Sequence, residues 1–222
     1  MKNSVIGLIK QILEDPKSAL RRYRLLEQRA SLFDEIFMRQ EYYWLVKNSK
    51  PGSVVLDIGA NIGDTAIYFA MFDNINKVIA YEPVPMAYKL AKSFIEQSPF
   101  HSKIILHNMA IGADRETKII SASRMIDFGF DYTHVKDVSG VNVKAITLND
   151  ALSDLDNVVI KCDSEGSEAT IFNDTDLSMV NAIELEYHGN LEQVLIGLKG
   201  KGFRIKIKDP LKKQGILYAI RK

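Results

Sequence analysis

The chain holds one cysteine, one tryptophan and six prolines in 222 residues, and it has almost no net charge. A lone cysteine, Cys162, excludes an internal disulfide and a cysteine-built zinc site, and with them a disulfide scaffold and a zinc finger. Such cysteine usage fits a reducing, cytoplasmic setting. Twenty-nine basic side chains against 28 acidic ones leave +1, so the broad basic footprint of a dedicated nucleic-acid binder is missing. Also missing is any run of about 18 uninterrupted apolar residues, the length a membrane-spanning helix needs. The nearest approach, Val5, Ile6, Leu8, Ile9, Ile12 and Leu13, is broken by Gly7, Lys10 and Gln11, and neither a compact apolar run nor a small-residue cleavage site marks a secretory signal.

What is present reads as an ordinary globular domain, 46% apolar and 26% charged. At about 150 residues per domain, the length fits one domain with an appendage. The six apolar positions near the N-terminus follow helical spacing, which favours packing on the same domain or a sister subunit over lying on a membrane surface. Asp15-Pro16 ends that helix, and Lys17 to about Lys47 reads as one or two more, carrying Leu20, Tyr23, Leu26, Phe33, Phe37, Tyr43 and Trp44. Residues 1–50 are therefore expected to form a helical extension whose apolar face could join two copies as a homodimer.

Lys50-Pro51-Gly52 breaks this pattern, and from Ser53 short β-branched runs alternate with amphipathic segments. Strands are expected at Val54 to Ile58, Lys77 to Tyr81, Lys103 to His107, Val158 to Cys162 and Ala182 to Tyr187. Helices are expected at Asp64 to Phe72, Met86 to Gln97, Ser167 to Phe172 and Leu191 to Lys201. Nearly continuous apolar strands alternating with helices predict an α/β fold with a doubly wound, largely parallel, Rossmann-like sheet over residues 51–222. Thr117 to Ser121 and Val141 to Ile146 look like strands flanking an irregular segment, residues 122–140, expected to be a lid or insertion. Phe203 to Lys208 and Ile216 to Arg221 are joined by a loop too short for a parallel crossover, so the sheet should end in an antiparallel hairpin.

The most informative stretch is Val54-Val-Leu-Asp-Ile-Gly-Ala-Asn-Ile-Gly-Asp-Thr65, a tight turn directly after a buried strand. Gly59 can take a backbone shape closed to other residues, Asn61 tolerates positive φ, and Gly63 permits close approach. Asp64 or Thr65 is expected to cap the following helix. The pattern D-x-G-x-N-x-G differs from the dinucleotide fingerprint G-x-G-x-x-G, and a carboxylate at the strand end, Asp57, sits poorly beside two phosphates. Glu82, at the end of the next strand, can accept both hydroxyls of a ribose. Together these residues favour a nucleoside without phosphate, and S-adenosylmethionine, with its adenosine, sulfonium and amino-acid tail, meets that need. An NAD-dependent oxidoreductase and a non-catalytic binding module are the alternatives.

With these residues in hand the chain resembles the FkbM-type branch of the class I S-adenosylmethionine-dependent methyltransferases. The likeness rests on Val55-Leu-Asp-Ile-Gly-Ala-Asn-Ile-Gly63, Val78-Ile-Ala-Tyr-Glu-Pro83, His107-Asn-Met-Ala-Ile-Gly112 and Val159-Ile-Lys-Cys-Asp-Ser-Glu-Gly-Ser-Glu168. The resemblance implies a seven-stranded sheet in the order 3-2-1-4-5-7-6, the last strand antiparallel. It implies a cofactor site made by Asp57, Gly59, Ala60, Asn61 and Gly63, with Glu82 and Pro83 at the ribose and Asn108 to Ala110 at the adenine. Asp163 would face the reactive end of the cofactor, and the implied activity is O-methylation of a hydroxyl on a small molecule or glycan. Asn149 stands where the family usually has an aspartate.

Methyl transfer to oxygen needs a positioned hydroxyl and a group to take its proton. Asp163, Glu165 and Glu168 crowd the end of the fourth main strand and would raise one another's pKa values if they shared a site. Asp163 or Glu165 is the expected base, and His188, after the fifth strand, is the best-placed histidine. His134 falls in the 122–140 segment. Asp163, Glu165 and Asn149 could ligate magnesium, but no dense ligand cluster is visible in the sequence, so no metal is expected.

Overall fold

The computed structural model describes residues 34–116, 118–120, 141–164, 166–208 and 210–222. A single π-type turn at Asp34–Met38 leads to helix α1 (Tyr43–Lys47), then strand β1 (Ser53–Ile58) and helix α2 (Asp64–Ala70). Strand β2 (Ile75–Tyr81) and helix α3 (Pro85–Glu96) follow, with Pro85 at the first helical position, where its missing N–H costs nothing. Strands β3 (Ile104–His107), β4 (Ala110–Gly112), β5 (Lys118–Ile120), β6 (Val141–Val143) and β7 (Ala145–Thr147) precede helix α4 (Leu148–Leu152). The chain closes with β8 (Val158–Cys162), α5 (Glu168–Ile171), β9 (Val180–His188), α6 (Leu191–Leu198), β10 (Phe203–Lys208) and β11 (Gln214–Arg221).

Seven strands form the central sheet, in the order β3-β2-β1-β8-β9-β11-β10. Counted along this sheet alone the order is 3-2-1-4-5-7-6, as the family resemblance implied. Its members run parallel except β11, which is antiparallel to both β9 and β10. Side chains alternate across each strand. Leu56 and Ile58 of β1 therefore join Ile160, Cys162, Ile183 and Leu185 under α4, α5 and α6. Val55 joins Val78, Ala80, Val159 and Ala182 on the opposite face, under α1, α2 and α3. Leu45 and Val46 of α1 are buried in that second cluster, so the described end of the N-terminal region shares the core of the sheet.

Several local expectations differ from the fold. The run from Val141 to Ile146 is two strands rather than one, β6 pairing antiparallel with β5 and β7 pairing parallel with β4. Strand β4 and helix α4 were not anticipated. Helix α4 begins with a reciprocal cap in which Asp150 N–H donates to Thr147 Oγ1 at 3.1 Å and Thr147 N–H donates to Asp150 Oδ2 at 3.0 Å. The helical expectations for residues 1–33, with the dimer surface built on them, and the lid at 122–140, with His134, lie outside the described residues.

Candidate active site

Everything of interest converges at the carboxyl ends of β1, β8 and β9, the edge where open α/β sheets hold ligands. The turn after β1 carries Gly59 at φ 79°, Asn61 at φ 50° and Gly63 at φ 87°. Gly59 is obligatory on two counts, because a Cβ there would also collide with the Asp163 carbonyl oxygen. Gly63, not Asp64 or Thr65, is the N-cap of α2, and no side chain caps that helix. The Thr65 hydroxyl is drawn elsewhere, donating to Asp57 Oδ2 at 2.6 Å.

Asp57 is fully buried, and its second oxygen lies 3.3 Å from Lys161 Nζ. The two residues are register partners on adjacent strands. Lys161 also donates to the Gly59 carbonyl at 2.7 Å, tying β8 to the turn. Burial alone would strip the lysine of its proton, but the charges of Asp57, Tyr42 and Asp163 hold its pKa well above the ordinary value. A lysine inside an otherwise apolar strand is the signal the sequence offered for this ion pair, since lysine is almost never fully buried without a partner.

Glu82 is buried and works from the other side of the turn. Its carboxylate accepts Asn61 N–H and Val84 N–H, each at 2.8 Å. Burial pushes its pKa up to about 7, against those two backbone donors. Asn108 donates its amide to the Glu82 and Pro83 carbonyl oxygens at 2.8 and 3.1 Å, and Ala110 N–H donates to Lys144 O at 2.8 Å. Glu82 thus braces the turn from behind, and Asn108 secures the Glu82–Pro83 backbone in turn.

In front of the turn opens a cavity of about 660 Å³, within the range of roughly 300–1,000 Å³ usual for ligand pockets. Gly59, Ala60, Asn61, Asp64, Thr65, Lys161 and Asp163 form its floor, while Arg39, Tyr42, Glu186, Lys208 and Tyr218 wall it. Neither Asp57 nor Glu82, Pro83, Asn108 and Ala110 reach this wall. Two buried acceptors on it, Asn61 Oδ1 and Asp163 Oδ1, have no hydrogen-bond partner among the described residues. Unsatisfied buried acceptors in a cavity wall call for a donor-bearing ligand.

Asp163 and His188 come together, with Glu186, each offering one ligand atom within 4.8 Å of the others. No site role was expected for Glu186, whose place beside Asp163 depends on the β8–β9 pairing. Asn149 instead secures a loop, donating to Asp174 O and accepting from Asp176 N–H, both at 3.1 Å. Glu168 is turned inward to the backbone N–H groups of Ser164 and Gly166 and the amide of Asn190. Its pKa falls to about 2 although burial opposes this, because His188, Asn190 and Gly166 stabilise the charge. Glu165 lies outside the described residues. Burial raises the Cys162 thiol well above its ordinary pKa, which removes it as a nucleophile.

The model of the methyltransferase FkbM domain matches residues 57–205. This chain belongs to that family. Among solved structures, methyltransferase FkbM from Methylobacillus flagellatus is 15% identical, with a TM-score of 0.53 over 96% of this chain and 58% of the other. A proposed rRNA-methylase from Clostridium thermocellum is 12% identical, with a TM-score of 0.53 over 83% of this chain and 97% of the other. At these identities the likeness is one of fold. The chain spans 58 to 66% of several matched structures. No curated protein matches it significantly. S-adenosylmethionine is the cofactor of this family, and the glycine turn with its orphaned Asn61 and Asp163 acceptors fits that group.

Proposed function

We propose that this FkbM-family chain is an S-adenosylmethionine-dependent O-methyltransferase acting on a hydroxylated small molecule or glycan. The observation that carries the reading is the cavity itself. Its floor is the glycine turn, and its far end is an acidic edge made by Asp163 and Glu186. Asn61 and Asp163 offer unsatisfied acceptors to the amino and hydroxyl groups of the donor. Glu82 lies behind the turn, where it holds the Asn61 and Val84 N–H groups and so shapes the floor on which the nucleoside would rest. When bound, the donor supplies a methyl on sulfonium: the acceptor oxygen bonds to that carbon, and the carbon–sulfur pair leaves with sulfur.

The chain's own part is to hold the turn rigid, exclude water and orient the hydroxyl. Lys161 and Glu82 do the first from opposite sides of the turn. Tyr42 and Tyr218 wall the cavity and help with the second. Asp163, with Glu186 and His188 beside it, receives the hydroxyl, whose proton passes over this acidic edge to solvent. The polar wall and the near-zero net charge of the chain favour a polar, uncharged acceptor over a nucleic acid.

Thermal shift and calorimetry with S-adenosylmethionine, S-adenosylhomocysteine and NAD test the reading. Both sulfur compounds are expected to raise the melting temperature and NAD to leave it unchanged. Stabilisation by NAD alone would overturn the proposal. Transfer of a labelled methyl from S-adenosylmethionine to a library of polyhydroxylated acceptors then identifies the acceptor class.

A further inference from the structure

We propose that Asp163, Glu186 and His188 bind a divalent first-row transition-metal cation at the acidic end of the cavity. Its service to an acceptor hydroxyl rests on the methyl-transfer reading above, whereas its binding does not. Two carboxylates and a neutral imidazole carry the −2 charge that such a cation neutralises, and oxygen with nitrogen is the donor mixture that manganese, iron and zinc accept. Ligand atoms within 4.8 Å of one another are near the span of a coordination sphere, in which bonds of about 2.1 Å place opposite ligands about 4.2 Å apart.

A second observation points to the same place. Glu184 is 2% exposed, and among the described residues neither of its carboxylate oxygens has a close hydrogen-bond partner, the Leu45 N–H stabilising its charge only against a larger effect of burial. It shares with Asp163 and Glu186 a cavity of about 10 Å³, room for a single water-sized occupant. The exposed Glu41 also borders this cavity. Lys161, a buried cation that acts on Glu184, is committed to Asp57 and the Gly59 carbonyl. A carboxylate as buried as Glu184 therefore favours further positive charge beside it.

The histidine is oriented as a metal ligand would be. His188 Nδ1 lies 3.5 Å from Glu168 Oε1, the carboxylate–imidazole arrangement that fixes a ligand's tautomer and leaves Nε2 for the metal. His188 Nε2 and Glu186 Oε1 both converge on the Gln214 side-chain nitrogen, at 3.2 and 2.6 Å. That nitrogen marks a point where two acceptors meet a positive dipole, and rotation of the Gln214 amide would turn its oxygen toward a cation instead. An acceptor hydroxyl bound to the cation would become more acidic and lose its proton to solvent. Its oxygen would then form the bond to the methyl carbon while the sulfur keeps the departing pair.

The test is a titration of the full chain, first stripped with EDTA, with Mn²⁺ followed by electron paramagnetic resonance. Wild type is expected to bind one Mn²⁺ per chain. Glu186→Gln and His188→Gln should each weaken that binding at least about tenfold, with circular dichroism unchanged. The absence of stoichiometric binding to wild type would overturn the site, as would affinities unaltered in both variants. Binding of S-adenosylhomocysteine is measured separately on the stripped protein. Mn²⁺ binding without it would support the cation site while sinking the methyl-transfer reading.

Discussion

Lys161 Nζ stands 3.3 Å from Asp57 Oδ1 and 2.7 Å from the Gly59 carbonyl, so one ammonium fixes both the end of β1 and the turn that follows it. Both residues are at most 2% exposed. Removing one member leaves the other as an uncompensated buried charge, at a cost of about 3–5 kcal/mol. Lys161→Met should therefore lower stability in urea by that amount, while the double variant Asp57→Asn with Lys161→Met should recover a substantial part of it. Additive losses in the double-mutant cycle would show that the pair is not coupled.

Glycines of similar backbone conformation should differ sharply in cost. Gly59 and Gly200 have φ of 79° and 74°, but a Cβ at Gly200 would meet nothing within 4 Å, whereas at Gly59 it would strike the Asp163 carbonyl. Gly200→Ala should cost about 1 kcal/mol, the penalty of the left-handed backbone alone. Gly59→Ala should cost more and abolish the thermal shift produced by S-adenosylhomocysteine. Equal melting temperatures for the two variants would contradict the packing argument.

Glu82 gives the cofactor site a pH dependence. Burial raises its pKa to about 7, above the usual carboxylate value, so between about pH 4.5 and 7 the folded chain holds a proton that the unfolded chain has released. Its contribution to stability is thus full below pH 4.5 and is lost as the pH rises through 7. The Asn61 and Val84 N–H groups favour the charged form, so the turn, and with it affinity for S-adenosylmethionine, should weaken as the pH drops below 7. Calorimetry at pH 6 in two buffers of different ionisation enthalpy should show proton release, and Glu82→Gln should eliminate it.

Thr147 closes a reciprocal cap with Asp150, so Thr147→Ala should destabilise the chain by about 1 kcal/mol in urea. Thr147→Ser, which keeps the hydroxyl, should recover most of the loss. If alanine and serine behaved alike, the hydroxyl would not be capping the helix.

Strand positions and the glycine turn were legible because they rest on local signals: apolar runs of strand length, breakers between them, and Gly59, Asn61 and Gly63 at positions that all take positive φ; the strand order came through the family resemblance. The site's electrostatics were less so. Asp57 faces Lys161, and Glu186 lies beside Asp163, only through the β1–β8 and β8–β9 pairings, which no local pattern announces. Thr65 was expected as a helix cap because its type and position suit one, but its hydroxyl meets Asp57 and the cap falls to Gly63. The three-residue strands β4 and β7 are too short to show a period. Thr147-Leu-Asn-Asp150 was visible as a string, and its Thr and Asp at capping-box spacing were the signal for α4.

The cavity wall joins distant parts of the chain. Arg39 and Tyr42 stand across it from Glu186, Lys208 and Tyr218, and Trp44 packs 4.7 Å from the Tyr218 ring. These residues meet only once the whole sheet is assembled, so a chain cut before β11 would keep the turn but lack Tyr218, one side of the pocket and the ring against which Trp44 packs. Enclosure of the pocket is therefore coupled to the long-range step in which β11 slots between β9 and β10.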